Sequence, residues 1–266
     1  MKDKVVVITG ASSGIGKALA IEYASKGAKL VLAARNLDKL NRVSSQLGNC
    51  KCLLVQTDVS QEQECKNLIK KTVDQFGRID ILINNAGISM RAIFAEVDLD
   101  VIRNLMNTNF WGTVYCSKFA LPYLLESKGS LVGVSSVAGY KGLPGRTGYS
   151  ASKFAMHGLL EAIRIENMKK GLHVLIACPG FTASNIRNVA LSRDGSAQGE
   201  TPLDESKLMT AERVARKIVV AVEKRKDRLI LTNQGRLTVV LNKFFPKFMD
   251  NMVYNHMAKE PNSPFK

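Results

Sequence analysis

Tyr149 and Lys153 stand four residues apart, so in a helix they share one face. A lysine beside a phenol favours the phenolate, because the cation stabilises the anion. A free tyrosine titrates near ~10, and bringing it toward ~7 takes about 4 kcal/mol of differential interaction at about 1.36 kcal/mol per unit. Such a pair suits a group that must take and give a proton near neutral pH. Two other polar clusters follow apolar runs: Asn84-Asn85-Ala86-Gly87, and Ser135-Ser136. Either serine hydroxyl could polarise a substrate oxygen.

A second kind of chemistry is written at the other end of the chain. The run Val5–Thr9 leads into Gly10-Ala11-Ser12-Ser13-Gly14-Ile15-Gly16, and a helical pattern follows at once. A glycine-rich turn between a strand and a helix lets backbone approach a pyrophosphate. The helix N-terminus then offers free N–H groups and partial positive charge. Some 20 residues on, a site for NAD carries an acidic residue to hold the adenosine ribose. Here that place is held by Ala34, with Arg35 next to it. An arginine can take a 2′-phosphate bidentately, and no carboxylate repels it, which points to NADP(H). Asp58-Val59 follows the third apolar run. Asp58 could contact an adenine or cap a helix.

The elements that must hold these groups are legible as alternating patterns. Apolar, β-branched runs recur at Val5–Thr9, Leu30–Ala34, Leu53–Gln56, Ile79–Ile83, Ser130–Ser135, Val174–Cys178 and Leu229–Leu231. Helical segments lie between them, at Gly14–Lys26, Gln61–Phe76, Leu99–Glu126, Tyr149–Lys170 and Ala211–Arg225. This alternation predicts an α/β fold, a doubly wound parallel sheet of about seven strands in a single domain. Residues 1–234 read as the catalytic body, 185–210 as a substrate loop and 235–266 as a C-terminal tail.

The ordered set Thr9–Gly16, Asn84–Gly87, Asn109, Ser136, Tyr149, Lys153 and Pro179-Gly180 resembles the short-chain dehydrogenase/reductase family, classical type, over roughly Lys4 to Leu231. The resemblance implies a Rossmann fold and hydride transfer between nicotinamide and a carbonyl or alcohol. It makes Tyr149 the acid/base and gives Lys153 the nicotinamide ribose. It gives Ser136 the substrate oxygen, because Ser136 lies 13 residues before Tyr149, and gives Asn109, in preference to Asn107, the water of a proton relay. It assigns the dinucleotide to Gly10, Ser12, Ser13, Gly14, Ile15, Gly16, Arg35, Asp58, Val59, Asn85, Ala86 and Gly87, with Pro179, Gly180, Thr182 and Ser184 around the carboxamide. Ser184 replaces the family's usual threonine and keeps the hydroxyl. The family's second basic marker for NADP(H) is absent at Ser13. The resemblance also implies a homodimer or homotetramer built on the segments that carry Leu105, Met106, Phe119, Met156, Leu159 and Leu160. The segment from Asn185 to Gly199 is locally similar to the dehydrogenase/reductase member 7 group, which is associated with lipid-like and carbonyl substrates.

Composition narrows the remaining possibilities. The chain has 266 residues, 45% of them hydrophobic and 23% charged, enough to bury a core without staples. The net charge of +15 raises the possibility of a nucleic-acid partner, but aromatics are only 6% and no nucleic-acid motif is present. A cofactor-binding sensor without turnover is the competing function, and the complete set Asn109, Ser136, Tyr149 and Lys153 argues against it. The five cysteines are irregularly spaced, which predicts free thiols in a reducing, cytoplasmic setting and no metal site. Substrate contacts are expected from the loops at 88–96, 139–146 and 185–207, which carry Met90, Phe94, Leu143 and Leu191.

The tail carries one apolar stripe from Leu237 to Val253 at helical period, interrupted by Pro246, which should kink it or start a second helix. Residues 207–266 hold 13 Lys and Arg against 5 Asp and Glu. Two readings stand for this tail: a lid over the substrate pocket, or a helix on an anionic membrane surface.

Overall fold

The computed structural model describes residues 1–183, 186–199, 201 and 208–265. Its sheet is built from β1 (Val5–Thr9), β2 (Lys29–Ala34), β3 (Cys52–Gln56), β4 (Ile81–Asn84), β5 (Ser130–Val134), β6 (His173–Cys178) and β9 (Arg228–Ile230). The order is β3-β2-β1-β4-β5-β6-β9, and every neighbouring pair is parallel. A short separate pair joins β7 (Thr182–Ala183) to β8 (Met209–Thr210). The strand order reverses between β1 and β4. In doubly wound sheets that crevice, at the carboxyl ends of the strands, is where ligands sit.

The central strands are covered on both faces, so they read as continuous apolar runs rather than alternating ones. Val6, Ile8, Leu30, Leu32, Ile83 and Leu175 point to one layer, packed by α1 (Gly14–Ser25), α2 (Leu37–Ser44) and α7 (Ala211–Glu223). Val7, Val31, Leu82, Leu131, Val174 and Ile176 point to the other. That layer holds α3 (Glu62–Phe76), α5 (Gly112–Glu126) and α6 (Thr147–Glu166).

Three local features depart from the sequence-based expectation. The helix α2 was not expected. It has eight residues, of which only Leu40 and Val43 are buried, so its apolar signal is two side chains. The expected helix at 99–126 is divided into α4 (Leu99–Leu105), a π-helical turn (Met106–Trp111) and α5. Such turns insert one extra residue and are common at functional sites. Finally, α6 starts at Thr147, so Tyr149 lies inside its first turn rather than opening it.

Of the residues expected at a subunit interface, Leu105, Met156 and Leu160 are buried in the protein's own core. Met106, Phe119 and Leu159 are partly exposed, beside the exposed Trp111 and Phe154.

The tail forms α8 (Asn233–Phe244) and α9 (Pro246–Ala258). Thr232 caps α8 through a hydrogen bond from Gly235 N to its hydroxyl, 3.0 Å. Pro246 starts the second helix, where its missing N–H costs nothing. Lys141 bonds Asp250, and Asn242 donates to the Tyr140 carbonyl at 3.1 Å, so the tail is tied to the body beside the site. Among the described residues no helix is long and apolar enough to cross a membrane. All five cysteines are free thiols.

Candidate active site

The glycine-rich turn between β1 and α1 is a cradle that side chains would fill. Gly10 has φ +64°, and a Cβ there would lie 2.8 Å from the Ala86 Cα. A Cβ on Gly16 would lie 2.2 Å from the Gly10 carbonyl oxygen. The turn is braced from β4: Asn85 Nδ2 donates to the carbonyls of Thr9 (2.9 Å) and Gly10 (3.2 Å). The Thr9 hydroxyl accepts from the N–H groups of Asn85 and Ala86, both at 3.0 Å. At the start of α1, Ser13 makes no side-chain cap bond, and no acidic residue occupies the first turn. The helix therefore presents free N–H donors and uncompensated positive potential, as a pyrophosphate requires. Ser12 and Ile15 flank that turn.

Arg35 follows β2 and is exposed, beside the buried Ala34. Among the described residues no ion pair engages its guanidinium. Asp58 organises its own turn: its Oδ1 accepts from Ser60 N (3.0 Å) and Ser60 Oγ (2.8 Å). Val59 is buried under Gly112, where a Cβ would meet it at 2.8 Å. Asp58 is not the cap of α3, whose N-cap position is Gln61; its carboxylate braces the turn that precedes the helix. The same crevice continues past β6, where Pro179, Gly180 and Thr182 line it. Ser184 lies outside the described residues.

The expected catalytic groups converge at the carboxyl ends of β4 and β5 and the N-terminal end of α6. Tyr149, Lys153 and Ser136 line one cleft of about 620 Å³ together with Asn85 and Gly87. Asn109 is fully buried on the π-helical turn, whereas Asn107 is exposed. Asn109 clamps Ile88, accepting from its N–H at 2.8 Å and donating to its carbonyl at 3.0 Å, and it donates to Ser152 Oγ at 2.9 Å. A Cβ on Gly87 would lie 3.1 Å from Asn109 Oδ1 and 3.6 Å from Lys153 Nζ, so both side chains meet at this glycine. The two adjacent serines part company. Ser135 Oγ is held by His157 Nε2 at 2.7 Å, while the Ser136 hydroxyl bears on Tyr149.

The electrostatics differ from the simple lysine–phenol pair. Lys153 Nζ donates to the Val134 carbonyl at 3.1 Å and sits 5.7 Å from the centroid of the Tyr149 ring. Burial drives the lysine down to about 8. Burial also raises Tyr149 above its ordinary value. The Ser136 hydroxyl opposes that rise, followed by the positive charges of Arg146 and Arg187. In the protein's own field Tyr149 is therefore a phenol, a proton donor.

Sequence reasoning missed several residues here. His157 is one turn beyond Lys153 on the same face, a spacing that could have singled it out. It is buried between Ser135 and Tyr140, whose ring centroid lies 4.5 Å from its own, and burial lowers it to about 4. It stays neutral at physiological pH and positions the strand end that carries Ser136. The expected loop contacts also need correction. Met90 and Leu191 anchor their loops in a small core with Val101 and Leu105, and Phe94 is exposed. Of the four loop residues, Leu143 alone lines the cleft, among the described residues. The three expected loops do reach the cleft, through Ser89, Leu143, Arg146, Ile186 and Arg187, and the tail adds an apolar wall through Leu237, Leu241, Met249, Met252, Val253 and Met257. Arg146 and Arg187 thus come from the expected loops at 139–146 and 185–207, although nothing local singled out either arginine.

A doubly wound sheet, a glycine cradle at its switch point, and a half-buried tyrosine with serine, lysine and asparagine define a dinucleotide-binding α/β protein. Residues 4–194 match the short chain dehydrogenase family, and the chain belongs to it. It is similar to 11-beta-hydroxysteroid dehydrogenase A of Arachis hypogaea, with 43% identity over 206 residues that cover 76% of this chain and 58% of that one. The chain thus spans less than two thirds of that relative. It is also similar to a dehydrogenase/reductase SDR family protein 7-like of Dictyostelium discoideum, 33% identical over 262 residues, covering 95% of this chain and 81% of the other. A solved short chain dehydrogenase/reductase from Burkholderia phymatum, in complex with NAD, superposes with a TM-score of 0.84 at 26% identity, covering 93% of this chain and 95% of its own. An alcohol dehydrogenase from Thermococcus sibiricus, complexed with 5-hydroxy-NADP, gives 0.76 at 25% identity, with 86% and 96% covered.

Proposed function

We propose that the protein is an oxidoreductase that prefers NADP(H) and moves a hydride between nicotinamide C4 and the carbonyl or alcohol carbon of an apolar, lipid-like substrate. The observation that carries this reading is the convergence of Tyr149, Ser136, Lys153 and Asn109 in one cleft whose opposite wall is apolar. A bound nicotinamide supplies or accepts the hydride. The chain does the rest. The cradle at Gly10–Gly16 and the free end of α1 hold the pyrophosphate, and Lys153 holds the ribose hydroxyls. Ser136 donates a hydrogen bond to the substrate oxygen. Tyr149, held as a phenol, gives that oxygen its proton in reduction and takes it back in oxidation. The relay of that proton through a water at Asn109 rests on the family likeness.

The exposed Arg35 beside Ala34 supports NADP(H). NADPH is expected to bind at least ~10-fold tighter than NADH, about 1.4 kcal/mol. The substitution Arg35→Ala should erase most of that difference in a fluorescence titration. Equal dissociation constants in the unaltered protein would remove the assignment. A panel of aldehydes and ketones, run with both nucleotides, tests turnover itself. Binding of NADPH without oxidation by any of them would favour a sensor.

The tail has two faces. Its inner face walls the cleft as a lid. Its outer face carries the exposed Phe244, Phe245 and Phe248 with Lys243 and Lys247 between and beside them. That combination suits contact with an anionic membrane surface, where each nearby lysine contributes about 1 kcal/mol. Co-sedimentation with vesicles containing anionic lipid is expected at low salt and not with neutral vesicles. A triple exchange, Phe244→Ser, Phe245→Ser and Phe248→Ser, should release the protein. If anionic vesicles fail to bind the unaltered protein, the tail is a lid alone.

A further inference from the structure

The cleft wall next to Tyr149 holds a buried cation whose countercharge is shared. Arg146 directly precedes α6, is 7% exposed and borders the cleft. Its Nη2 reaches both oxygens of Glu260, but only at 3.3 Å. Arg91, equally buried, takes the same carboxylate at 3.4 Å and donates to the Pro261 carbonyl at 2.6 Å. Arg146 Nη1 and Arg91 Nε have no hydrogen-bond partner. Two guanidinium groups thus divide one carboxylate, and one positive charge is left over in a dry place. Unneutralised buried charge is costly, by several kcal/mol per ion. Among the described residues lining the cleft, Lys153, Arg146, Arg187 and Arg213 are cationic and none is acidic. Arg187 is committed elsewhere, donating to the Thr182 carbonyl at 2.8 Å and to Thr201 Oγ1 at 3.1 Å. Lys153 is assigned to the ribose. Arg213 is exposed on α7, so Arg146 is the buried cation left for a substrate.

The rest of the cleft fixes the other half of the ligand. Leu241, Met249, Val253 and Met257 from the tail, with Phe181, make an apolar wall. Arg146 and Tyr149 are three positions apart, one turn of helix, so an anion at Arg146 lies within a few bonds of an oxygen at Tyr149.

We infer that the substrate is an amphipathic oxo or hydroxy acid, with its carboxylate on Arg146, its reacting carbon between Ser136 and Tyr149, and its apolar chain along α8 and α9. The inference rests on the hydride-transfer reading and deepens it. In reduction the ketone carbon gains a hydride from the reduced nicotinamide, and the oxygen gains a proton from Tyr149. The C=O π bond becomes C–H and O–H, the nicotinamide is oxidised, and the carboxylate is unchanged. Glu260 acts as the stand-in anion that a substrate carboxylate competes with.

The test compares 4-oxononanoate with its methyl ester, which has the same chain and no charge. The unaltered enzyme is expected to turn over the acid with kcat/KM at least ~10-fold above the ester, the factor that about 1.4 kcal/mol supplies. In Arg146→Gln the acid-to-ester ratio should fall to about one. In Arg146→Lys, which keeps the charge, part of the preference should survive. In Glu260→Gln the ratio should hold or rise, because the competing carboxylate is gone. If Arg146 only fastens the tail, both Arg146→Gln and Glu260→Gln depress acid and ester alike. An unchanged ratio in Arg146→Gln, or no acid preference at the start, overturns the inference. A second measurement needs no turnover: calorimetric binding of decanoate and of methyl decanoate to the NADP⁺-loaded protein. Decanoate binding that Arg146→Gln abolishes, with no carbonyl reduced, keeps the anion site and rejects the oxidoreductase reading. Turnover of ketones with decanoate and its ester bound equally does the reverse.

Discussion

In a Tyr149→Phe protein, turnover is expected to fall by roughly 10²- to 10⁴-fold, the usual contribution of a positioned acid or base, while NADPH affinity stays close to that of the unaltered protein. The substitution removes one hydroxyl and keeps the ring, which packs beside Met90 and Leu105 at the edge of a small core. Packing gives no reason for a large loss of stability. The reason for a large loss of rate is electrostatic. Tyr149 is held as a phenol by burial, so it carries the transferable proton at neutral pH, and Ser136 bears on the same oxygen. Its serine neighbour is occupied with His157, so no second hydroxyl stands free to replace it at that strand end. Steady-state kinetics on a responsive carbonyl, with a parallel NADPH titration, separates the two effects. A kcat near that of the unaltered enzyme would show that another group moves the proton.

Gly16→Ala should produce the largest loss of dinucleotide affinity of any single methyl addition. The new carbon would stand 2.2 Å from the Gly10 oxygen and 2.6 Å from Asn85 Nδ2. Neither can yield cheaply. The Gly10 carbonyl is backbone, and Asn85 Nδ2 is the bond that ties the turn to β4. Opening that contact should cost about 1–3 kcal/mol of stability, the range for overpacked sites, and on the order of 10²-fold in NADPH binding, about 2.7 kcal/mol. Gly158→Ala is the matched control. It lies within α6 with nothing near its missing Cβ, so it should leave stability unchanged or raise it by about 0.5–1 kcal/mol. Thermal unfolding and a binding titration on both proteins decide the matter. A Gly16→Ala protein that binds NADPH normally would mean that the turn does not close on the dinucleotide.

What the sequence carried, and what it did not, divides along the reach of the interactions. The strands were legible because burial on both faces forces unbroken apolar runs such as Val5–Ile8 and Val174–Cys178. The cradle was legible because close approach demands glycine at fixed spacing. Tyr149 and Lys153 were legible as neighbours on a helix, yet their electrostatics were not. Which of burial and charge wins at a phenol depends on depth in the fold, and here burial wins. The 13-residue interval to Tyr149 favoured Ser136 over Ser135 only through the family likeness, not through any contact. The fold separates them by bringing His157 to one of them. The bond between Arg146 and Glu260 joins residues 114 apart in sequence. No local pattern announces a contact of that range. The tail's period left open a kink or a second helix at Pro246, and the structure has the second helix; periodicity alone says only that one face is apolar, not what that face covers.

The division of labour along the chain has a consequence for how such a molecule is made and altered. The glycine cradle for the dinucleotide lies within residues 10–16, whereas the tail's share of the cleft's apolar wall comes from Leu237 onward. A chain growing from its N-terminus therefore lays down its redox half before the tail completes the place for a substrate. The same order uncouples their fates under mutation. A frameshift or exchange late in the reading frame rewrites which molecule is chosen, and leaves untouched the machinery that would act on it.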